Sequence, residues 1–90
     1  MSSRLKTSEY KDITVAEIPL PSVLDPVLVD SIGRELYALV ERDRRLKIVL
    51  DLRHVRSLSS SMMGVFLTLH KKAQGEGGKV VLCGARRSGA

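Results

Sequence analysis

Two runs of branched apolar residues, Ile48-Val49-Leu50 within Lys47–Leu52 and Val80-Val81-Leu82 within Lys79–Cys83, flank a stretch where apolar positions recur every three or four residues. Continuous apolar runs of this length predict strands buried on both faces. Met62, Met63, Phe66, Leu67 and Leu69 predict a helix over Ser60–Gln74, stopped by Gly75, Gly77 and Gly78. Met63 is expected inward and Met62 at the surface. Strand, helix and strand with short links form a βαβ unit, whose strands are parallel neighbours with a right-handed crossover.

The upstream half repeats the logic. Ile13–Ile18 is rich in β-formers and is ended by Pro19 and Pro21. Asp25 is a good N-cap and Pro26 is favoured at the first helical position. Leu28, Ile32, Leu36, Leu39 and Val40 follow at helical spacing, predicting an amphipathic helix over Pro26–Arg42 with an Asp30/Arg34 pair on its polar face. Asp43–Arg45 reads as a charged turn and residues 53–59 as a loop. Met1–Lys11 is polar and expected to be flexible, and residues 84–90 form a short tail. The expectation is one α/β domain over residues 1–90, a sheet with helices packed against it. Two helices are a thin cover for such a sheet, which implies either a shortened chain or a surface left for a partner.

Composition narrows the function. With 90 residues, 43% hydrophobic and 3% aromatic, the core must be modest and aliphatic. No apolar run approaches the roughly 20 residues of a membrane span, and no apolar h-region follows the N-terminus, so neither a membrane span nor a signal peptide is expected. Cys83 is the single cysteine, which fits a cytoplasmic location, and it is expected to be a small buried hydrophobe. The net charge of +5 invites a nucleic-acid reading, but the cations are scattered and lack interleaved aromatics or a recognition motif. A surface suited to an acidic protein partner is preferred.

Catalytic chemistry is sparse. His54 and His70 are isolated, no Cys/His spacing suits a metal, and no phosphate-loop motif is present. Gly75-Glu76-Gly77-Gly78 follows a helix and precedes a strand, the reverse of the order a phosphate loop needs. Asp51 suits a strand-end hydrogen-bonding role. No nucleophile–base pair is evident, so neither an enzyme nor a cofactor is expected.

Ser59-Ser60-Ser61 opens the second helix. One serine can cap it by accepting from a free backbone N–H. The others can be caps in reserve or a phosphosite. A phosphate there adds about −1.5 to −2 charges, which the helix dipole and free N–H groups tolerate while the outer surface changes sign.

Ile48–Leu52, Leu58-Ser59-Ser60-Ser61-Met62-Met63-Gly64-Val65, Leu69-His70-Lys71-Lys72 and Gly77-Gly78-Lys79-Val80-Val81-Leu82-Cys83-Gly84 together resemble the STAS domain, and most of all the bacterial anti-sigma factor antagonists. The resemblance runs from about Ile13 to Gly84. It implies a STAS-like mixed sheet, and the helix this family usually adds after the last strand is missing from the residues that follow Cys83; apolar surface left open favours self-association. In that family a D-S-S-G-L-G motif opens the helix. Its first serine is phosphorylated by a partner that is both anti-sigma factor and serine kinase. The unphosphorylated antagonist binds that partner and frees the sigma factor; phosphorylation releases it. By resemblance the phosphoacceptor is Ser60, and Gly64 matches the last glycine. The motif's acid falls on Ser59 and its first glycine on Met62. The implied partner-binding residues are Arg56, Ser59, Ser60, Ser61, Met62 and Met63. Two other readings stand beside this one: a STAS-type scaffold or transport-accessory module that binds a protein without a phospho-switch, and a basic nucleic-acid or nucleotide binder.

Overall fold

The computed structural model describes residues 5–84. Strands β1 (Lys6–Tyr10), β2 (Ile13–Glu17), β4 (Lys47–Asp51) and β6 (Lys79–Cys83) form one mixed sheet in that order. Between them lie β3 (Ser22–Val23), α1 (Pro26–Glu41), β5 (Ser57–Leu58) and α2 (Ser60–Gly75). β1 is antiparallel to β2, while β2, β4 and β6 are parallel. β3 and β5 pair as a separate two-residue parallel ribbon.

Each parallel connection carries a helix, and right-handed crossovers stepping the same way along a sheet place both helices on one face. α1 and α2 touch: a Cβ on Gly33 would sit 3.4 Å from Val65 Cγ2. The core lies between sheet and helices. Ala16, Ile18, Ile48, Leu50 and Leu52 contribute from the sheet side, Val29, Ile32, Leu36 and Val40 from α1, and Met62, Phe66, Leu69 and Ala73 from α2. The 3–4 spacing of each helical set supplies the buried stripe that an amphipathic helix needs.

Local chemistry explains the boundaries. Asp25 Oδ1 accepts from the Val27 backbone N–H at 2.8 Å and Pro26 opens α1, as the sequence predicts. Asp30 and Arg34 pair at 3.1 Å on its exposed face. At the far end of α2, the N–H of Gly78 donates to Ala73 O at 2.7 Å and that of Lys79 to Leu46 O at 2.6 Å. Gly77 turns the chain at φ +81°, and Gly78 lies against the Leu46 carbonyl, where only a residue without a Cβ fits.

Five expectations need correction. Lys6–Tyr10 is a strand, not a flexible lead; residues 1–4 lie outside the described residues. All five of its residues are exposed, so no apolar pattern announces it, and the backbone ladder to β2 holds it. β6 is an edge strand rather than a buried one: Val81 is 46% exposed, and Leu82 and Cys83 are exposed as well. An edge position leaves one side of the ladder unpaired and thins the cover over the strand. Cys83 is therefore not a buried hydrophobe. The methionines are reversed: Met62 is fully buried and Met63 is 45% exposed. Met62 lies four residues before Phe66 and seven before Leu69, in phase with the core stripe, whereas Met63 is in phase with exposed Leu67. Residues 53–59, expected to be a loop, contain β5.

Candidate functional site

Both helices begin at the carboxyl ends of the parallel strands, the end where α/β sheets present their functional groups. The path from β4 to α2 is tightly pinned. The Asp51 carboxylate accepts from Arg53 Nε at 3.0–3.1 Å, from Arg53 Nη2 at 3.0 Å and from the Arg53 backbone N–H at 3.1 Å. Burial pushes the Asp51 carboxyl up, but the hydrogen bonds and charge of Arg53 outweigh it and hold the group below the ordinary carboxylate value. The same contacts raise the Arg53 guanidinium. Asp51 thus fills the strand-end role its position suggests. Downstream, the N–H groups of Arg56 and Ser57 both donate to Pro21 O, at 2.7 and 3.2 Å, and that of Ser59 donates to Val23 O at 3.1 Å.

The three serines then divide their duties. Ser59 has extended backbone and its Oγ accepts from the Met62 N–H at 3.1 Å, so it is the N-cap. Ser60 and Ser61 are exposed on the first turn, which carries no acidic residue. Their outward hydroxyls meet the positive end of the helix dipole with no carboxylate to offset it. Ser59→Ala is expected to cost about 1 kcal/mol in a denaturant melt, while Ser60→Ala stays within ~0.5 kcal/mol. Equal losses would show that the capping duty is shared.

At this helix start Ser60, Ser61 and Met63 are exposed, as is Arg56 four residues upstream; Ser59 is half-buried and Met62 is fully buried. The structure also adds residues that the sequence did not single out. Leu67 is exposed one turn beyond Met63, and a cleft of about 300 Å³ between the helices runs from Ser61 and Val65 to Pro26, Val29, Gly33 and Tyr37. Leu24 and Val27 are exposed at the start of α1. The signal for Leu67 and Val27 was present as apolar residues on helices, but exposure cannot be told from burial until the helix phase is fixed. His70 lies on α2 and is half-buried, whereas His54 Nε2 pairs with Glu17 Oε2 at 3.0 Å. Among the described residues no cluster of three or more His, Cys, Asp or Glu could hold a metal, and no helix is long and apolar enough to cross a membrane.

A mixed sheet packed against two helices that both start at the carboxyl ends of the parallel strands is the architecture of the STAS domain. The chain belongs to the STAS domain family, whose model matches residues 5–90. Among solved structures, it superposes on the anti-sigma factor antagonist SpoIIAA in its unphosphorylated form with a TM-score of 0.76 at 15% identity, covering 92% of this chain and 74% of that one. It also superposes on Mglu with a TM-score of 0.71 at 15% identity, covering 91% of this chain and 20% of that one. No curated protein sequence matches significantly. The fold is the STAS mixed α/β fold, and the described residues end without a helix after β6.

Proposed function

We propose that this domain is an anti-sigma factor antagonist that works in the bacterial cytoplasm. It docks through the start of α2 on a partner that is both anti-sigma factor and serine kinase, and is released when Ser60 is phosphorylated. The domain itself catalyses nothing; it regulates sigma-dependent transcription by occupying the partner. One observation carries this reading: Ser59 caps the helix, so the neighbouring Ser60 hydroxyl is exposed and spared that structural duty. The likeness to an antagonist described in its unphosphorylated form supports it.

The physics of release is electrostatic. A phosphate on Ser60 would leave the fold in place, because first-turn N–H groups and the helix dipole favour it. At a docked interface the same charge must be desolvated against the partner, and an uncompensated buried charge costs several kcal/mol. Ser60→Asp is expected to weaken partner binding by at least about ten-fold, equivalent to ~1.4 kcal/mol, with an unchanged melting midpoint. Calorimetric titration into the purified kinase measures this. The second reading, a STAS scaffold that binds constitutively, draws on Ser59 standing where the family motif has an acid. Unchanged affinity in Ser60→Asp would favour that scaffold.

A further inference from the structure

The register of β1 on β2 places Lys6 opposite Glu17. Glu17 alternates with Ala16 and Ile18, which point into the helix-covered core, so Lys6 and Glu17 face the other side of the sheet. There, at the carboxyl ends of β2 and β4, they line a cleft of about 520 Å³ with Arg53, His54, Arg56, Pro19 and Pro21. The carboxylate in this lining, Glu17, is engaged by His54 at 3.0 Å, and Arg53 is held by Asp51. Lys6 and Arg56 form no ion pair among the described residues. The cleft therefore carries an excess of positive charge with two uncommitted cations, and Arg56 stands four residues before the start of α2.

We infer that this cleft receives an acidic peptide segment of the docked partner, an inference that rests on the reading of the domain as a protein-docking module. Charge complementarity selects a negative occupant, and the donors select its kind. Phosphate is ordinarily cradled by free backbone N–H groups at a nest or helix start. Here the Arg53 N–H is spent on Asp51 Oδ1 at 3.1 Å, the Val55 N–H on Leu52 O at 3.0 Å and the Arg56 N–H on Pro21 O at 2.7 Å, and Pro19 and Pro21 have none to give, so the His54 N–H has no free neighbour with which to form a nest. What remains is a set of separate side-chain cations around apolar proline rings. That suits carboxylates spaced along a peptide better than one compact phosphate.

The test titrates the isotope-labelled full chain with a capped decapeptide of alternating Glu and Ala at about 50 mM salt, where charge contacts are least screened. Amide shifts are expected at Lys6, Glu17 and Arg53–Arg56. The Lys6→Gln/Arg56→Gln double variant should weaken binding about ten-fold, while Lys71→Gln/Lys79→Gln, removing equal charge elsewhere, stays within about two-fold. Equal losses in the two variants would reduce the effect to net charge and overturn the site. Tighter binding of pyrophosphate with the same shifts would make it a phosphate site and overturn the peptide assignment. Partner affinity separates this inference from the switch. If it falls in Ser60→Asp but not in Lys6→Gln/Arg56→Gln, the switch stands and the cleft fails; the opposite pattern spares the cleft and sinks the switch.

Discussion

Gly78→Ala is expected to destabilise the protein by about 2–4 kcal/mol, in the range of overpacking and backbone displacement. A Cβ built at this position lies 2.2 Å from the Leu46 carbonyl oxygen, 2.8 Å from Leu46 Cβ and 2.9 Å from the Leu46 carbonyl carbon. Backbone atoms cannot swing aside as the end of a flexible side chain can. Relief has to come from moving the start of β6, which stretches the Lys79-to-Leu46 and Gly78-to-Ala73 hydrogen bonds together. Among the described residues the strand at risk is held on one side only, by β4. Gly75→Ala is the matched control. It sits at the end of α2 with no heavy atom within 4 Å of a built Cβ, so it should be neutral or stabilising by up to ~1 kcal/mol. Urea melts of the two variants check this; coincident midpoints would mean that Leu46 and Gly78 do not press together as described.

Met62→Ala is expected to cost about 2–5 kcal/mol as a buried large-to-small change, whereas Met63→Ala stays within ~0.5 kcal/mol. Met62 is fully enclosed at the start of α2, and its backbone N–H is the donor that Ser59 caps, so a cavity there loosens the turn that displays Ser60. Met63 is adaptable, exposed and next to the serines. Its truncation should leave the melt unchanged and weaken partner binding by about five-fold or more, as loss of an apolar anchor does. Similar melts for the two variants would refute the assigned orientation of the helix.

The helices, β2, β4 and β6 were readable because their apolar periodicity and punctuation agree: Asp25-Pro26 at one helix start, Ser59 at the other, glycines after α2. β1 was not. K-T-S-E-Y has no apolar face, and its pairing with β2 is a backbone matter that side-chain patterns do not record. The exposure of β6 was equally hidden, since Val-Val-Leu reads alike at a sheet's centre and at its edge; only the strand order tells them apart. Adjacent methionines differ by 100° of helix rotation, and choosing between them required the whole stripe through Phe66, Leu69 and Ala73. At the site, the three serines were visible as a run, and the resemblance singled out Ser60. The division of labour between Ser59 and Ser60 needed the cap geometry. The basic cleft was illegible for a different reason. Its residues come from positions 6, 17–21 and 53–56, and the β1–β2 register that unites the first two belongs to the strand that patterning missed.

The sheet order β1-β2-β4-β6 follows the order of the chain, with each later strand added outside the one before and none inserted between two already paired. A chain leaving the ribosome can therefore lay down this sheet from its first strand outward. The β1–β2 hairpin is available before α1 emerges, and β4 finds β2 waiting without having to reopen it. β6 comes last, and until it docks β4 is the exposed edge. In time as well as in space, the Gly77-Gly78 turn brings in the last of the four described strands of this sheet.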